Sequence, residues 1–329
     1  MKRFLNIGII QLSLSENATM NFINLEKEVE YLMSGNPKPE LIIGPELIQG
    51  LVPDYIPGLQ TAFFAKIAQK HGIYFIPGSI MEKSDELAKG KFYNSAPIFN
   101  PKGELIDVYR KIMPYGPTES NTIPGNKYVV FDIVEKNTKI GVQICYDMNF
   151  PEISRNEVLL GAEVLVKLTL DPVQLYNINK YVPIVRALEN QAYFISTQSV
   201  GTYLGSHLCG HSTVVNPEGE VLWQASNTPV SICLVLDLDA VSLARNYGTL
   251  FTDHYLQHLR DFDIPMPFSD NIKAAPVFDN IIKTPLNVKE NDAIQNDIGI
   301  GCIGKRYNVF RDINTKSLKQ ELDSFLNNK

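Results

Sequence analysis

Three short runs of the sequence end in a side chain that can take part in acyl transfer: Ile42-Ile43-Gly44-Pro45-Glu46, Val108-Tyr109-Arg110-Lys111 and Gly141-Val142-Gln143-Ile144-Cys145. Each has the apolar length of a buried strand, and open α/β sheets place their ligands at strand ends. Taken singly the three residues have ordinary explanations: Glu46 as a helix cap or solvated loop acid, Lys111 as a surface lysine, Cys145 as a small core hydrophobe. Together they supply a nucleophile, a carboxylate to take its proton and a cation for a developing oxyanion. Tyr146-Asp147-Met148-Asn149-Phe150 leads from the thiol into Pro151-Glu152, a helix start that would lower the thiol pKa and leave backbone N–H donors free. Glu119 lies eight residues past Lys111, across a loop bent by Pro114 and Pro117 that could return a second carboxylate to the lysine.

The elements that must position these groups follow an α/β layout, short apolar runs alternating with segments of helical period from Leu5 to about Ala244. Strands are expected at Leu5 to Leu14, Glu40 to Gly44, Ile73 to Ile80, Tyr128 to Ile133, Lys139 to Ile144, Val164 to Leu168 and Ala192 to Val200. Phe92 to Asn100 and Glu104 to Tyr109 read as a hairpin around Pro101-Lys102-Gly103, and Ser212 to Val215, Val221 to Gln224 and Ser231 to Leu236 as further strands. Helices fit Asn21 to Met33, Gln60 to His71, Pro151 to Leu160 and Val182 to Gln191. So many strands exceed a simple doubly wound sheet; two mixed sheets packed face to face, with helices outside, would bury them. From Ile264 onward Pro265, Pro267, Pro276 and Pro285 interrupt any long element, so residues 1–263 read as the main domain and 264–329 as an extended arm.

With 44% hydrophobic and 20% charged residues among 329, the chain is neither disordered, collagen-like nor disulfide-dense. A net charge of -6 and the lack of a long basic run argue against nucleic acid as a partner. Cys145, Cys209, Cys233 and Cys302 form no C-x-x-C pair, which fits a reducing cytoplasm better than a zinc framework or a disulfide set. Lys2-Arg3 opens like a signal peptide, but Asn6 and Gln11 interrupt the apolar stretch and no A-x-A-like cleavage site follows. No apolar run approaches the ~18 residues that span a bilayer.

Four motifs in order carry a resemblance: Gly44-Pro45-Glu46; Tyr109-Arg110-Lys111 with Glu119 and Pro124-Gly125; Cys145-Tyr146-Asp147 with Pro151-Glu152; and Arg186-Ala187-Leu188-Glu189-Asn190-Gln191-Ala192. Over about residues 5 to 260 the chain resembles the carbon–nitrogen hydrolase (nitrilase) superfamily. Tyr109 to Pro114, Gly210-His211-Ser212 and His258-Leu259-Arg260 are similar to its aliphatic amidase and formamidase branch. The resemblance implies a four-layer α-β-β-α sandwich that assembles into dimers or larger oligomers. It implies Glu46 as general base, Lys111 as oxyanion-stabilising lysine, Cys145 as nucleophile and Glu119 as a positioning carboxylate. Two departures concern the pocket lining: Gly44 stands where the family usually has an aromatic residue, and Asn121-Thr122-Ile123 replaces an aromatic stretch. Asp147 is similar to amidase and carbamoylase forms and unlike the Cys-Trp-Glu of nitrilases.

Other signals compete. Gly299-Ile300-Gly301-Cys302-Ile303-Gly304 satisfies G-x-G-x-x-G, but too little chain follows for a nucleotide-binding unit and Arg306 stands where a P-loop needs Ser or Thr, so it reads as a turn. His207, Cys209 and His211 would share one face of an extended segment and His254 with His258 have helical pair spacing, yet neither set has a clear further metal ligand. Glu152 and Glu189 sit on helices and read as capping or paired acids. The expectation is therefore a metal- and cofactor-independent hydrolase of a small aliphatic amide, with Lys111 and the Tyr146 backbone N–H holding the oxyanion of a thioester pathway. N-carbamoyl amine hydrolysis by the same residues and a non-catalytic assembly or binding subunit are the alternatives. A homo-oligomer is expected through the arm, whose Val277, Phe278, Ile281, Ile282 and Phe310 a solvated tail would not need.

Overall fold

The computed structural model describes residues 2–116, 118–263, 267, 269–279, 281, 287–297 and 315–328. Its strands begin with β1 (Phe4–Ser13), β2 (Leu41–Ile43), β3 (Asp54–Tyr55), β4 (Tyr74–Ile76), β5 (Ile80–Lys83), β6 (Tyr93–Phe99), β7 (Leu105–Arg110) and β8 (Val130–Ile133). They continue with β9 (Thr138–Ile144), β10 (Val164–Leu168), β11 (Tyr193–Thr197), β12 (Ser199–Tyr203), β13 (Ser206–Cys209), β14 (Thr213–Val215), β15 (Val221–Gln224) and β16 (Val230–Asp237). The helices are α1 (Ala18–Ser34), α2 (Leu59–His71), α3 (Pro151–Leu159), α4 (Val173–Asn179), α5 (Val182–Asn190), α6 (Asp239–Tyr247), α7 (Tyr255–Arg260), α8 (Val288–Asp297) and α9 (Thr315–Asn327).

One sheet runs β13-β12-β1-β2-β4-β6-β5-β3, with β16 antiparallel to β1 and β7 to β6; the other runs β15-β14-β11-β10-β9-β8. Both are mixed, with parallel centres at β1-β2-β4 and β9-β10-β11. Successive strand side chains point to opposite faces. Ile7, Ile9 and Ile43 therefore meet Val142, Val166 and Ile195 in a core between the sheets. Their neighbours point outward: Ile10, Ile42 and Phe75 pack under Phe22 and Val29 of α1 and Phe64 of α2, and Leu165 and Phe194 pack under Val158 of α3 and Ala187 of α5. The result is the four-layer α-β-β-α sandwich, and strands covered on both faces explain the near-continuous apolar runs. α1 follows the same logic locally. Asn17 caps it by accepting from the Met20 N–H, and Phe22, Leu25, Val29 and Leu32 form its buried stripe.

Besides short elements the sequence reading does not expect, among them β3, β13, α4, α6 and α7, three differences bear on the site and the arm. The expected strand Ile73 to Ile80 is two strands, because Pro77-Gly78-Ser79 leaves the ladder to pack on the Glu46 loop: Gly44 N–H donates to Ile76 O and Ser79 N–H to Pro45 O. The expected strand Ala192 to Val200 is also two, β11 in one sheet and β12 in the other, with Gln198 at the crossing. Finally, part of the expected arm folds back. Leu322 and Leu326 of α9 are buried against α1 and α2, and the Phe325 ring meets Phe63 at 5.5 Å. Each fully buried leucine contributes about 1.5–3 kcal/mol, which holds this helix on its own domain. Ile264, Pro265, Ile282, Pro285, the Gly299 to Gly304 run with Cys302, Arg306 and Phe310 lie outside the described residues, as does Pro117.

Gly44 has a steric reason. A Cβ there would stand 2.1 Å from Pro77 O, and one at Gly78 would stand 2.2 Å from Pro45 O, so the two loops touch backbone to backbone. An aromatic side chain cannot enter that contact. Gly44→Ala is expected to push the Glu46 loop away, costing about 1–3 kcal/mol in a denaturant melt by overpacking and lowering turnover. Gly35→Ala, whose Cβ would meet nothing closer than 3.4 Å, is the control expected to leave both unchanged. Equal behaviour of the two variants would contradict the steric account.

Candidate active site

β2, β7 and β9 bring Glu46, Lys111 and Cys145 to a common end of the two sheets, where all three line a cavity of about 350 Å³. Glu46 is 2% exposed and Lys111 1%, so neither charge can be left to water. Glu46 Oε1 accepts from Lys111 Nζ at 3.0 Å and from Asn94 Nδ2 at 2.8 Å, while Oε2 accepts the Leu170 N–H at 3.0 Å. Glu119 comes back across the loop and its Oε2 stands 2.8 Å from Lys111 Nζ. The Tyr115 N–H also donates to that carboxylate, and Asn94 Nδ2 reaches its Oε1 at 3.4 Å.

The Lys111 backbone is clamped as firmly as its side chain. Its N–H donates to Asn94 O and its carbonyl accepts from the Gly125 N–H, both at 2.8 Å. A Cβ on Gly125 would lie 2.1 Å from Arg110 O, which accounts for the Pro124-Gly125 signature.

Cys145 sits where β9 breaks into a 3₁₀ turn, Cys145–Asn149, ahead of α3. Its φ of +51° is a left-handed conformation that costs a residue with a Cβ roughly 1–3 kcal/mol and turns the thiol out of the sheet toward the cavity. Asp147 holds that turn. Its carboxylate accepts from Ile144 N–H at 3.0 Å, Tyr109 O–H at 2.7 Å and Met113 N–H at 2.7 Å, tying the cysteine turn to both flanks of Lys111. Arg186 adds a second anchor by donating to Met148 O at 2.9 Å, and Gln191 Nε2 donates to Ala244 O at 2.7 Å, so that motif is scaffold for the turn and for α6.

Burial dominates the electrostatics. It pushes Glu46 above the usual carboxylate range, against the opposing pull of Lys111. For Lys111 burial works downward, but Glu119, Glu46 and Cys145 outweigh it and hold the ammonium charged well above its ordinary value. The expectation of a depressed thiol is overturned: burial first, then the Glu46 carboxylate, push Cys145 well up, and Lys111 offsets only part of this. α3 opens only at Pro151, beyond the turn that carries the thiol. Burial thus favours a neutral thiol beside a carboxylate of raised proton affinity, and for Glu46 that is the direction a general base needs.

Sequence reasoning missed Asn94, which bridges Glu46 and Glu119, and the pair Lys167 and Asp171, both buried, at 3.1 Å. A lysine within the apolar run Val164-Leu165-Val166-Lys167-Leu168 and an acid just past its end were the available signals. Tyr146 lines the cavity, its ring edge-on to Tyr115 at 5.0 Å. The candidate metal residues are engaged elsewhere. His207 Nδ1 shares a hydrogen bond with Thr202 Oγ1, Cys209 Sγ donates to Gly210 O, and His211 stacks on Tyr176. The His254 and His258 rings stand 5.9 Å apart, and among the described residues no three His, Cys, Asp or Glu side chains group as a metal site. Glu152 is exposed in the first turn of α3, and Glu189 pairs with Arg186 at 2.8 Å.

Residues 6–245 match the family described as Carbon-nitrogen hydrolase. Omega-amidase NIT2 of Pongo abelii is 30% identical over 269 residues, covering 74% of this chain and 93% of its own. Omega-amidase NIT2-B of Xenopus laevis is 34% identical over 211 residues, 59% of this chain and 73% of its own. Among solved structures, Saccharomyces cerevisiae Nit3, a member of branch 10 of the nitrilase superfamily, superposes with a TM-score of 0.67 at 26% identity, over 74% of this chain and 93% of that one.

Burial raises Asp147 from 3.8 to about 6. Across that window the folded state keeps a proton that the unfolded chain has lost, so this group's contribution to stability falls as pH rises. Asp147→Asn should flatten that slope. It also sets an amide N–H against one of three fixed donors, so about 1–3 kcal/mol of stability should be lost at neutral pH, and turnover should fall with it. Denaturant midpoints measured between pH 4 and 7 test both parts; an unchanged midpoint and slope would contradict the role given to this carboxylate.

Proposed function

The chain belongs to the carbon–nitrogen hydrolase family, and from that premise we propose that it is an amidase, hydrolysing a small aliphatic amide to the acid and ammonia through a thioester on Cys145. The observation that carries this reading is a strained, strand-end thiol opening into the same cavity as a buried Glu46–Lys111–Glu119 cluster. Glu46 Oε2, which receives the Leu170 N–H, keeps a lone pair for the thiol proton. The thiolate adds to the amide carbon. Two of the three Lys111 N–H groups are committed to Glu46 and Glu119, and the third, with the Tyr146 backbone N–H, holds the oxyanion. Collapse breaks the C–N bond as protonated Glu46 gives its proton to the departing nitrogen. Water then loses a proton to Glu46 and adds to the thioester, and the C–S bond breaks as the proton returns to sulfur. Glu119 keeps the Lys111 ammonium on this axis.

The omega-amidase relatives support the reaction class. The acyl side of the cavity supports a short apolar group, since Leu170, Leu175, Ile178 and Leu204 line it. Among the described residues no helix is long and apolar enough to cross a membrane. A reducing compartment, the cytoplasm in this reading, keeps Cys145 in the thiol form the reaction needs. We read residues 1–263 as the catalytic domain and 264–329 as an arm whose last helix, α9, returns to pack on that domain. Val277, Phe278 and Ile281 are exposed in the single chain and support an arm that covers a second copy, a homo-oligomer that light scattering would show as a multiple of the monomer mass.

A panel of small amides, carbamoyl amines and nitriles assayed for ammonia tests the reading. Short aliphatic amides should turn over, and Cys145→Ala should abolish turnover with an unchanged circular dichroism spectrum. Lys111→Met should cost about 10²–10³ in kcat, the usual loss of one oxyanion donor, and Glu46→Gln should stop acylation. Turnover of carbamoyl amines alone would replace the amide assignment, and Cys145→Ala within tenfold of wild type would remove the nucleophile.

A further inference from the structure

A second buried ion pair stands at the nucleophile, and the pathway above makes no use of it. Asp171 is 2% exposed and Lys167 1%, with Lys167 Nζ 3.1 Å from Asp171 Oδ2. Gln198 Nε2 donates to the same oxygen at 2.9 Å, its Oε1 accepts the Asp171 N–H at 3.1 Å, and Asn179 supplies another hydrogen bond to the carboxylate. Gln198 is itself fixed where the chain crosses between the sheets, its N–H donating to Ser212 Oγ at 2.8 Å. The remaining oxygen, Oδ1, accepts from Cys145 Sγ at 3.7 Å, and Asp171 lines the cavity.

We propose that Asp171 is a positioning residue of this site: its carboxylate, fixed by Lys167, Gln198 and Asn179, holds the Cys145 thiol at the cavity wall and presents a negative charge that disfavours anionic acyl groups. The inference rests on Cys145 being the nucleophile. Four donors fill the Asp171 oxygens, so it has no acceptor to spare for a substrate ammonium. It is also unsuited to be the base, because although burial works the other way, Lys167, Gln198 and Asn179 hold it below the ordinary carboxylate range, whereas Glu46 is held above. The charged groups facing Cys145 are then Glu46 and Lys111 from one sheet and Asp171 and Lys167 from the other, with Glu119 behind Lys111. Asp171 and Glu46 both raise the thiol, while Lys111 and Lys167 lower it. Lys111 is already shared by two carboxylates, so no cation lining the cavity among its described residues is left over for an anionic substrate.

Asp171→Asn keeps the shape and an acceptor for Lys167 while removing the charge. Alkylation of Cys145 by iodoacetamide and iodoacetate, followed against pH in the full chain, reads the result. The variant's pH profile should move about one unit to lower pH, roughly tenfold more thiolate below the midpoint, and iodoacetate should gain more than iodoacetamide. With a neutral amide, kcat should fall while KM holds, so the thiol becomes more reactive and the enzyme slower, a combination that lost folding does not produce. Gln198→Leu loosens Asp171 without touching a charge. It should lower kcat yet keep the wild-type discrimination against iodoacetate, and it carries the test if Asp171→Asn does not fold. An Asp171→Asn profile and reagent ratio equal to wild type, or wild-type kcat in Gln198→Leu, would overturn the proposal. Alkylation that responds as stated while no amide turns over would leave it standing and remove the amidase reading instead.

Discussion

A lysine ammonium that is 1% exposed has to be surrounded by anions, and the placing of Lys111 between Glu46 and Glu119 is the constraint on which the site depends. Removing the lysine would leave Glu46 and Glu119 without their shared cation, a loss of about 3–5 kcal/mol in comparable pairs. The cost of assembling the cluster is met by the fold around it. Strand ends fix where the three side chains start, backbone hydrogen bonds from Asn94 and Gly125 fix Lys111, and the Pro77-Gly78-Ser79 loop fixes Glu46. The same burial that makes the cluster expensive makes it useful, because it lifts the Glu46 carboxylate and the Cys145 thiol together and leaves the lysine charged where an oxyanion would form.

Rigidity between the two sheets comes from groups that never face a substrate. Asp147 ties Ile144 of β9 to Tyr109 of β7 and to Met113 beyond Lys111, so the nucleophile turn and the lysine cannot move independently. Arg186 pins the far side of that turn. A small displacement of reacting groups can cost ~10²-fold in rate, which explains why so much of the buried polar inventory is spent on the backbone around three side chains.

What the sequence made legible was set by local chemistry. Strands such as Val164–Leu168 and Val221–Gln224 agree residue for residue because flanking polar or turn residues bound a short apolar run. The Glu46, Lys111 and Cys145 runs were visible because each reactive residue ends such a run. Ile73 to Ile80 and Ala192 to Val200 each look like a single strand because apolarity does not report a change of neighbour, and only tertiary packing on the Glu46 loop and the crossing at Gln198 divides them. The contacts of Asn94 with Glu46 and of Asp171 with Cys145 escape for a related reason: those partners lie 48 and 26 residues away, and a polar residue near an apolar run does not announce its contact. The depressed thiol expected from the helix start failed because desolvation, absent from any local pattern, outweighed it. The arm illustrates the converse, an amphipathic segment whose apolar face found its own domain.

The central claim is that the acyl group passes through Cys145. Rapid acid quench of the enzyme with a small amide, followed by intact-mass and peptide mass spectrometry, tests it most directly. The account predicts a transient adduct with the mass of the acyl group on the peptide carrying Cys145, absent from Cys145→Ala and accumulating when water attack is slowed at low pH. Ammonia released at full rate with no adduct at Cys145 under any quench time, or an adduct on Cys209 or Cys233 instead, would contradict it.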